Sequence, residues 1–187
     1  VFNINYRGSI GYGKVFQDLN NKDWGGGDLK DFKAVLQHFI DEGLVDKNKI
    51  GITGGSFGGY LSYMALTKDA DFYAAGVPCF GMVDLIADYN LVKDRWGLWY
   101  ETEMGTPKTD SLLFVNRSAI HFIDNLKAPI LIFQGENDTN VPKWSSDMFV
   151  EKLKTLNKPV DYVVYPEEGH GFVKRVNRID WTQRMHS

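Results

Sequence analysis

The sequence predicts an α/β protein with a mostly parallel sheet and helices on both faces, and three observations carry that prediction. Short apolar runs alternate with longer stretches whose apolar residues recur at helical spacing. The apolar runs empty into loops rich in Gly, Pro, Asn and Asp. Three of those loops each hold one chemically capable side chain, Ser56, Asp138 and His170, and in an open parallel sheet ligands bind at the carboxyl ends of the strands.

Taken in order, Val1 to Asn5 alternates apolar and polar residues, as the tail of a strand does. From Asp28 to Glu42, Leu29, Phe32, Val35, Leu36, Phe39 and Ile40 fall at helical spacing, and Gly43 supplies a stop. A strand follows at Lys49 to Thr53. Beyond a glycine-rich turn, Tyr60, Leu61, Met64 and Ala65 suit a buried helix, and Tyr73 to Val77 a further strand. Pro129 to Gln134 reads as a buried strand. Phe149, Val150, Leu153 and Leu156 mark a helix between it and the strand from Val160 to Tyr165, and another helix begins near Val176.

The densest signal is Gly54-Gly55-Ser56-Phe57-Gly58-Gly59-Tyr60, directly after an apolar run. A glycine-flanked serine there fits a sharp strand-to-helix turn, in which side chains at Gly54 or Gly58 are expected to collide with crossing backbone. Ser56 then stands at a helix N-terminus, where backbone N–H groups favour negative charge developing on an attacked carbonyl. A serine is a weak nucleophile without a base and an acid to orient that base. Asp138 lies in the turn after the strand at 129–134, and His170 lies between Gly169 and Gly171 after the strand at 160–165. His38 on a helix, His121 in an apolar segment and His186 at the C-terminus read as packing or surface residues. Asp124 precedes its strand and Asp161 lies within one, so Asp138 is the better-placed acid.

These residues resemble the prolyl oligopeptidase family of serine peptidases, in particular its acylaminoacyl-peptidase-like and bacterial dipeptidyl-peptidase-like branches. The resemblance runs through Asn5-Tyr6-Arg7-Gly8-Ser9, Gly11-Tyr12-Gly13, Asp23-Trp24-Gly25-Gly26 and the Ser56 turn. It continues through Ala128-Pro129, Gly135-Glu136-Asn137-Asp138 with Val141-Pro142, and Glu168-Gly169-His170-Gly171-Phe172. It implies an α/β-hydrolase fold with Ser56 as nucleophile, His170 as general base and then acid, Asp138 as the orienting carboxylate, and the Phe57 backbone N–H as one oxyanion-hole donor. It also implies an S1 pocket drawn from Phe57, Phe80, Met82, Val83, Trp96, Trp99 and Val141. One departure stands out: prolyl oligopeptidases carry a substrate-binding arginine two residues after the acid, where this chain has Asn140.

The resemblance implies short peptides as substrates, no cofactor and no metal. It further implies a β-propeller domain and an oxyanion-completing loop or tyrosine upstream, with the sheet incomplete on its N-terminal side and the chain alone much less active than a longer protein. Two other readings stay open on the residues: a carboxylesterase, since such a triad does not distinguish ester from amide, and a binding or scaffold module that keeps the fold.

Composition sets outer limits. With 187 residues, 43% hydrophobic and 14% aromatic, the chain can bury one sizeable core. A net charge of −3 with mixed signs leaves no basic footprint for nucleic acid. No run approaches the ~18 apolar residues of a membrane span, and no signal peptide is visible. The single cysteine, Cys79, forms no internal disulfide and has no metal-binding company; with the missing signal it favours a cytoplasmic location. Homo-oligomer formation is left open.

Overall fold

The computed structural model of the chain describes residues 1–186. Four strands, β1 (Gly51–Gly55), β2 (Ala75–Cys79), β3 (Leu131–Gly135) and β4 (Asp161–Tyr165), form one sheet in the order β1-β2-β3-β4, parallel throughout. The helices are α1 (Lys14–Asp18), α2 (Gly27–Asp41), α3 (Phe57–Lys68), α4 (Leu85–Glu103), α5 (Ser111–Asn116), α6 (Trp144–Thr155) and α7 (Arg175–Met185), with a 3-10 turn at Ala119–Asn125.

Side chains alternate across the strands and sort the molecule into two apolar layers. Ile130, Ile132, Val160 and Tyr162 point into the main core, which takes in Leu29 and Leu36 of α2, Tyr60 to Leu66 of α3, and Phe149, Val150 and Leu153 of α6. Val77, Cys79, Leu131, Phe133, Val163 and Tyr165 face the opposite side, where Phe172 of the loop after β4 and Trp181 of α7 cover them. Parallel strands need such covers on both faces, because the crossovers that join them place helices there.

Each strand begins one or two residues later than the apolar runs suggest, and all but β4, which ends at Tyr165 as expected, also end one or two residues later, since buried parallel strands lack the alternation that marks their ends. Pro78 sits in the middle of β2. The Gly76 N–H donates to the Pro129 carbonyl at 3.1 Å and the Phe80 N–H to the Phe133 carbonyl at 2.8 Å. Pro78, the next donor in that row, has no N–H, and β2 and β3 are joined only at either side of it.

Val1 to Asn5 is not a strand, contrary to its alternating pattern. Among the described residues it has no neighbouring strand to bond. Phe2 instead stacks on Phe39 of α2 at 4.3 Å, and a cavity of about 270 Å³ separates Val1, Phe2 and Ile4 from Gly51 to Thr53 of β1. Alternation is a local signal, but a ladder needs a partner.

Helix α3 lies unusually close to the sheet, and glycine is the reason. A Cβ on Gly54 would stand 2.6 Å from the Gly58 carbonyl, as the turn demands, whereas one on Gly58 would meet open space. The crowded partners are Gly59 and Gly81. A Cβ on Gly59 would fall 2.3 Å from the Cys79 carbonyl oxygen, and one on Gly81 2.4 Å from the Gly59 carbonyl carbon. The expected steric role of Gly58 therefore belongs to this pair.

Candidate active site

Three strand ends converge on one chain of hydrogen bonds. Ser56 joins β1 to α3 with φ 57° and ψ −120°, a backbone region that side chains with a Cβ disfavour. Its N–H donates to the Cys79 carbonyl at 3.1 Å and its carbonyl accepts from the Tyr60 N–H at 2.9 Å, so both sides of the turn are tied down. Ser56 Oγ lies 2.8 Å from His170 Nε2, and His170 Nδ1 lies 2.8 Å from Asp138 Oδ2. A carboxylate only accepts, so Nδ1 carries the proton. In the neutral ring Nε2 is then the acceptor, and the Ser56 hydroxyl donates to it.

Asp138 is held by its own loop. Oδ1 accepts from the Asn140 and Val141 N–H groups at 2.9 and 3.0 Å, and the Gln134 side-chain amide approaches Oδ2 at 3.4 Å. Only 5% of the residue is exposed. The Phe57 N–H opens α3 and has no acceptor among the described residues, as expected for a first-turn amide. Phe57 directly follows Ser56 in the chain.

The loop that carries His170 is fixed from beneath by Glu168, a residue the sequence displays only as part of the glycine-flanked motif. Its carboxylate accepts from the Val173 N–H at 3.0 Å, the Lys174 N–H at 2.9 Å and the Asn177 side-chain amide at 2.8 Å, while its carbonyl accepts from the Asn137 N–H at 2.9 Å. Burial pushes the Glu168 carboxyl up, but those hydrogen bonds and the Lys174 charge outweigh it, so its pKa lies below the ordinary value. Gly135 lets the two loops touch, because a Cβ there would lie 2.2 Å from the Gly169 carbonyl oxygen.

Glu168→Gln is therefore expected to leave at least one backbone donor facing an amide NH₂, and to cost about 1–3 kcal/mol of stability. With its folded pKa below its unfolded one, Glu168 stabilises the fold above the unfolded value, and that stability is lost as pH falls through the folded value. Thermal melts of the two proteins should thus differ most at neutral pH and converge as pH falls below the ordinary glutamate range. If the loop also sets the imidazole, kcat falls about tenfold with little change in KM; unchanged kcat at full occupancy would confine Glu168 to stability.

Beside Ser56 and His170 lies a cavity of about 270 Å³ walled by Phe57, Met82, Val92, Trp96, Trp99, Tyr100 and Val141, with Asp88 and Asn140 as its other polar contributors. Five of the expected pocket residues, Phe57, Met82, Trp96, Trp99 and Val141, line it. Phe80 and Val83 do not. Phe80 has φ 37° and turns its ring onto His170 at 5.1 Å and Phe172 at 5.4 Å, over Gly55. Val83 is fully buried in the core, where its N–H meets Ser145 Oγ at 3.2 Å.

The aromatic wall is braced from behind. Trp24 is buried and contacts the Phe57 ring at 5.3 Å and the Trp99 ring at 4.6 Å. The turn that holds it is pinned by Asp23, which accepts from the Gly27 N–H at 2.8 Å and pairs with Arg117 at 2.6 Å. Arg7 grips Asp31 with two side-chain N–H groups at 2.8 and 2.6 Å. This accounts for the Asp23-Trp24-Gly25-Gly26 motif and for the arginine of the Asn5-Tyr6-Arg7 block. Among the described residues no group of three or more His, Cys, Asp or Glu is placed to hold a metal ion, and no helix is long and apolar enough to cross a membrane.

A parallel sheet with a serine on a strained strand-to-helix turn, and a histidine and carboxylate on the ends of later strands, defines the α/β-hydrolase class. Residues 1–187 match the prolyl oligopeptidase family along their whole length, and the chain belongs to that family. It is 36% identical to dipeptidyl aminopeptidase BIII of Pseudoxanthomonas mexicana over 95% of this chain and 26% of that protein. With the human acylamino-acid-releasing enzyme it shares 26% identity over 91% of this chain and 24% of that one. Among solved structures, a puromycin-hydrolyzing peptidase of Mycobacterium tuberculosis superposes with a TM-score of 0.85 at 31% identity, covering 90% of this chain and 25% of the other. The acylaminoacyl peptidase of Pyrococcus horikoshii superposes with a TM-score of 0.86 at 28% identity, covering 97% and 31%. The chain thus spans about a quarter of the length of the curated relatives it matches.

Proposed function

We propose that this chain is the catalytic domain of a serine peptidase that cleaves short peptides through an acyl-enzyme. The observation that carries the reading is the continuous run from Ser56 Oγ through His170 to Asp138, 2.8 Å at each step. In this reading His170 Nε2 takes the Ser56 proton as Oγ bonds to the scissile carbonyl carbon. The Phe57 N–H receives the negative charge on the carbonyl oxygen. The tetrahedral adduct collapses as His170 returns the proton to the leaving amine, and the C–N bond breaks. Water, deprotonated by the same imidazole, then releases the acid and restores Ser56. Asp138 keeps the proton on Nδ1 throughout.

We further propose that the chain works within a longer polypeptide, whose upstream part supplies a second oxyanion donor and a β-propeller domain. Support comes from relatives about four times as long as this chain. The test compares a p-nitrophenyl ester with a peptide p-nitroanilide, in the 187-residue chain and in the full-length protein. The expected result is amide hydrolysis by the longer protein, with the short chain slower by about 10² to 10³, the usual cost of one oxyanion donor. Ester turnover without amide turnover in the longer protein would make it an esterase, and equal activity of the two proteins would remove the need for upstream residues.

A further inference from the structure

The cavity beside Ser56 has apolar walls and one buried carboxyl group. Asp88 lies in the first turn of α4, 1% exposed. Its Oδ2 accepts a hydrogen bond from the Tyr100 hydroxyl, whose oxygen also lies 3.1 Å from Met82 Sδ. Its Oδ1 is buried with no hydrogen-bond partner. The neighbouring charges that act on it, Asp84 and Asp138, are both acidic, and with burial as the largest cause they push its pKa up to about 6.

An unpaired carboxyl oxygen at such a place is costly for folding, and a leucine would fill it without that cost. Nor is the group needed to start α4, since the Asp84 side chain caps that helix by accepting from the Ile86 and Ala87 N–H groups. What the oxygen lacks is a donor, and Asp88 is one of the residues that line the cavity beside the hydrogen-bonded Ser56 and His170. We propose that Asp88 determines specificity in this cavity, accepting a hydrogen bond from the tip of an aromatic P1 side chain and so selecting tyrosine over phenylalanine.

The inference rests on the peptidase reading, in which the side chain of the acylating residue enters this cavity. Trp96 and Trp99 offer flat apolar walls to a ring, and a ring is held at lower conformational cost than a long flexible chain. The Arg95 guanidinium stands over the Trp96 ring at 5.2 Å and bonds Thr139 at 3.2 Å on the acid loop. A site that pairs a phenol also rejects the analogue without one, since the acceptor then stays unmatched.

The test uses the full-length protein and peptides that differ only at P1. With Tyr or 4-aminophenylalanine at P1, kcat/KM should exceed that with Phe by about 10- to 100-fold. Asp88→Asn keeps the shape and can keep the Tyr100 contact through its oxygen, which turns a donor NH₂ to the former Oδ1 position. A phenol can still accept from it but an aniline N–H cannot pair with it, so the 4-aminophenylalanine-to-Phe ratio should fall to within about threefold. The same preference should appear without turnover, as calorimetric binding of 4-aminophenylalanine and Phe peptides to Ser56→Ala protein, and vanish in Ser56→Ala with Asp88→Asn. Equal rates for Tyr and Phe in the unaltered protein, a 4-aminophenylalanine-to-Phe ratio that Asp88→Asn leaves in place, or a preference for Lys or Arg would each overturn the proposal. If the protein cleaves no peptide yet binds the 4-aminophenylalanine peptide preferentially through Asp88, the cavity's selectivity stands and the peptidase reading falls.

Discussion

Replacing Ser56 with alanine should lower kcat by about 10⁶ and abolish labelling by a fluorophosphonate probe, because groups that act as one unit lose nearly everything when one is removed. Loss of activity alone would not separate chemistry from folding, and the backbone supplies the separation. At φ 57° and ψ −120°, Ser56 occupies a region that costs a residue with a Cβ about 1–3 kcal/mol. Ser56→Gly relieves that strain while removing the same hydroxyl. It should be as inactive as the alanine variant and yet melt several degrees higher, less whatever the lost 2.8 Å contact to His170 contributes. The assignment of Ser56 fails if the probe still labels either variant, or if activity returns with stability in the glycine form.

The parts of this architecture that show in the sequence are those that local chemistry dictates. Ser56 and His170 announce themselves because glycine brackets both, and Asp138 because an apolar run ends just before it. Their meeting depends only on strands running in one direction, which alternation with helices already implies. Helix α4 is much harder to read, although it is the longest element. Leu91 and Leu98 face solvent on it while Asp88 is buried, so its apolar residues trace no single stripe. The helix covers a cavity rather than a continuous core, and the rule of one greasy face does not apply to it. Asp88 looks like any solvated helix residue until Tyr100, twelve positions on, closes over it. The contact of Gly59 with Gly81 is equally silent, because the pair stand twenty-two positions apart with a whole strand between them. The family resemblance puts Phe80 and Val83 in the pocket, yet the turn at Phe80 sends one ring onto His170 and the other side chain into the core.

Asp138→Asn is expected to lower kcat by about 10⁴ without unfolding the protein, and the geometry says why so small a change should matter. Oδ1 faces two fixed backbone donors, the Asn140 and Val141 N–H groups at 2.9 and 3.0 Å. An amide nitrogen there would oppose both, so the asparagine carbonyl must take that position and its NH₂ must point at His170 Nδ1. Nδ1 then has to accept, and the single ring proton of the neutral imidazole moves to Nε2, facing Ser56 Oγ across 2.8 Å. A histidine that already carries its proton on that side cannot take one from serine. The loss should therefore appear in acylation, as slow fluorophosphonate labelling and low kcat with KM little changed. Asp124→Asn and Asp161→Asn serve as controls, since both residues are exposed and neither bonds His170. Near-normal activity in Asp138→Asn, with loss in either control, would remove Asp138 from the site.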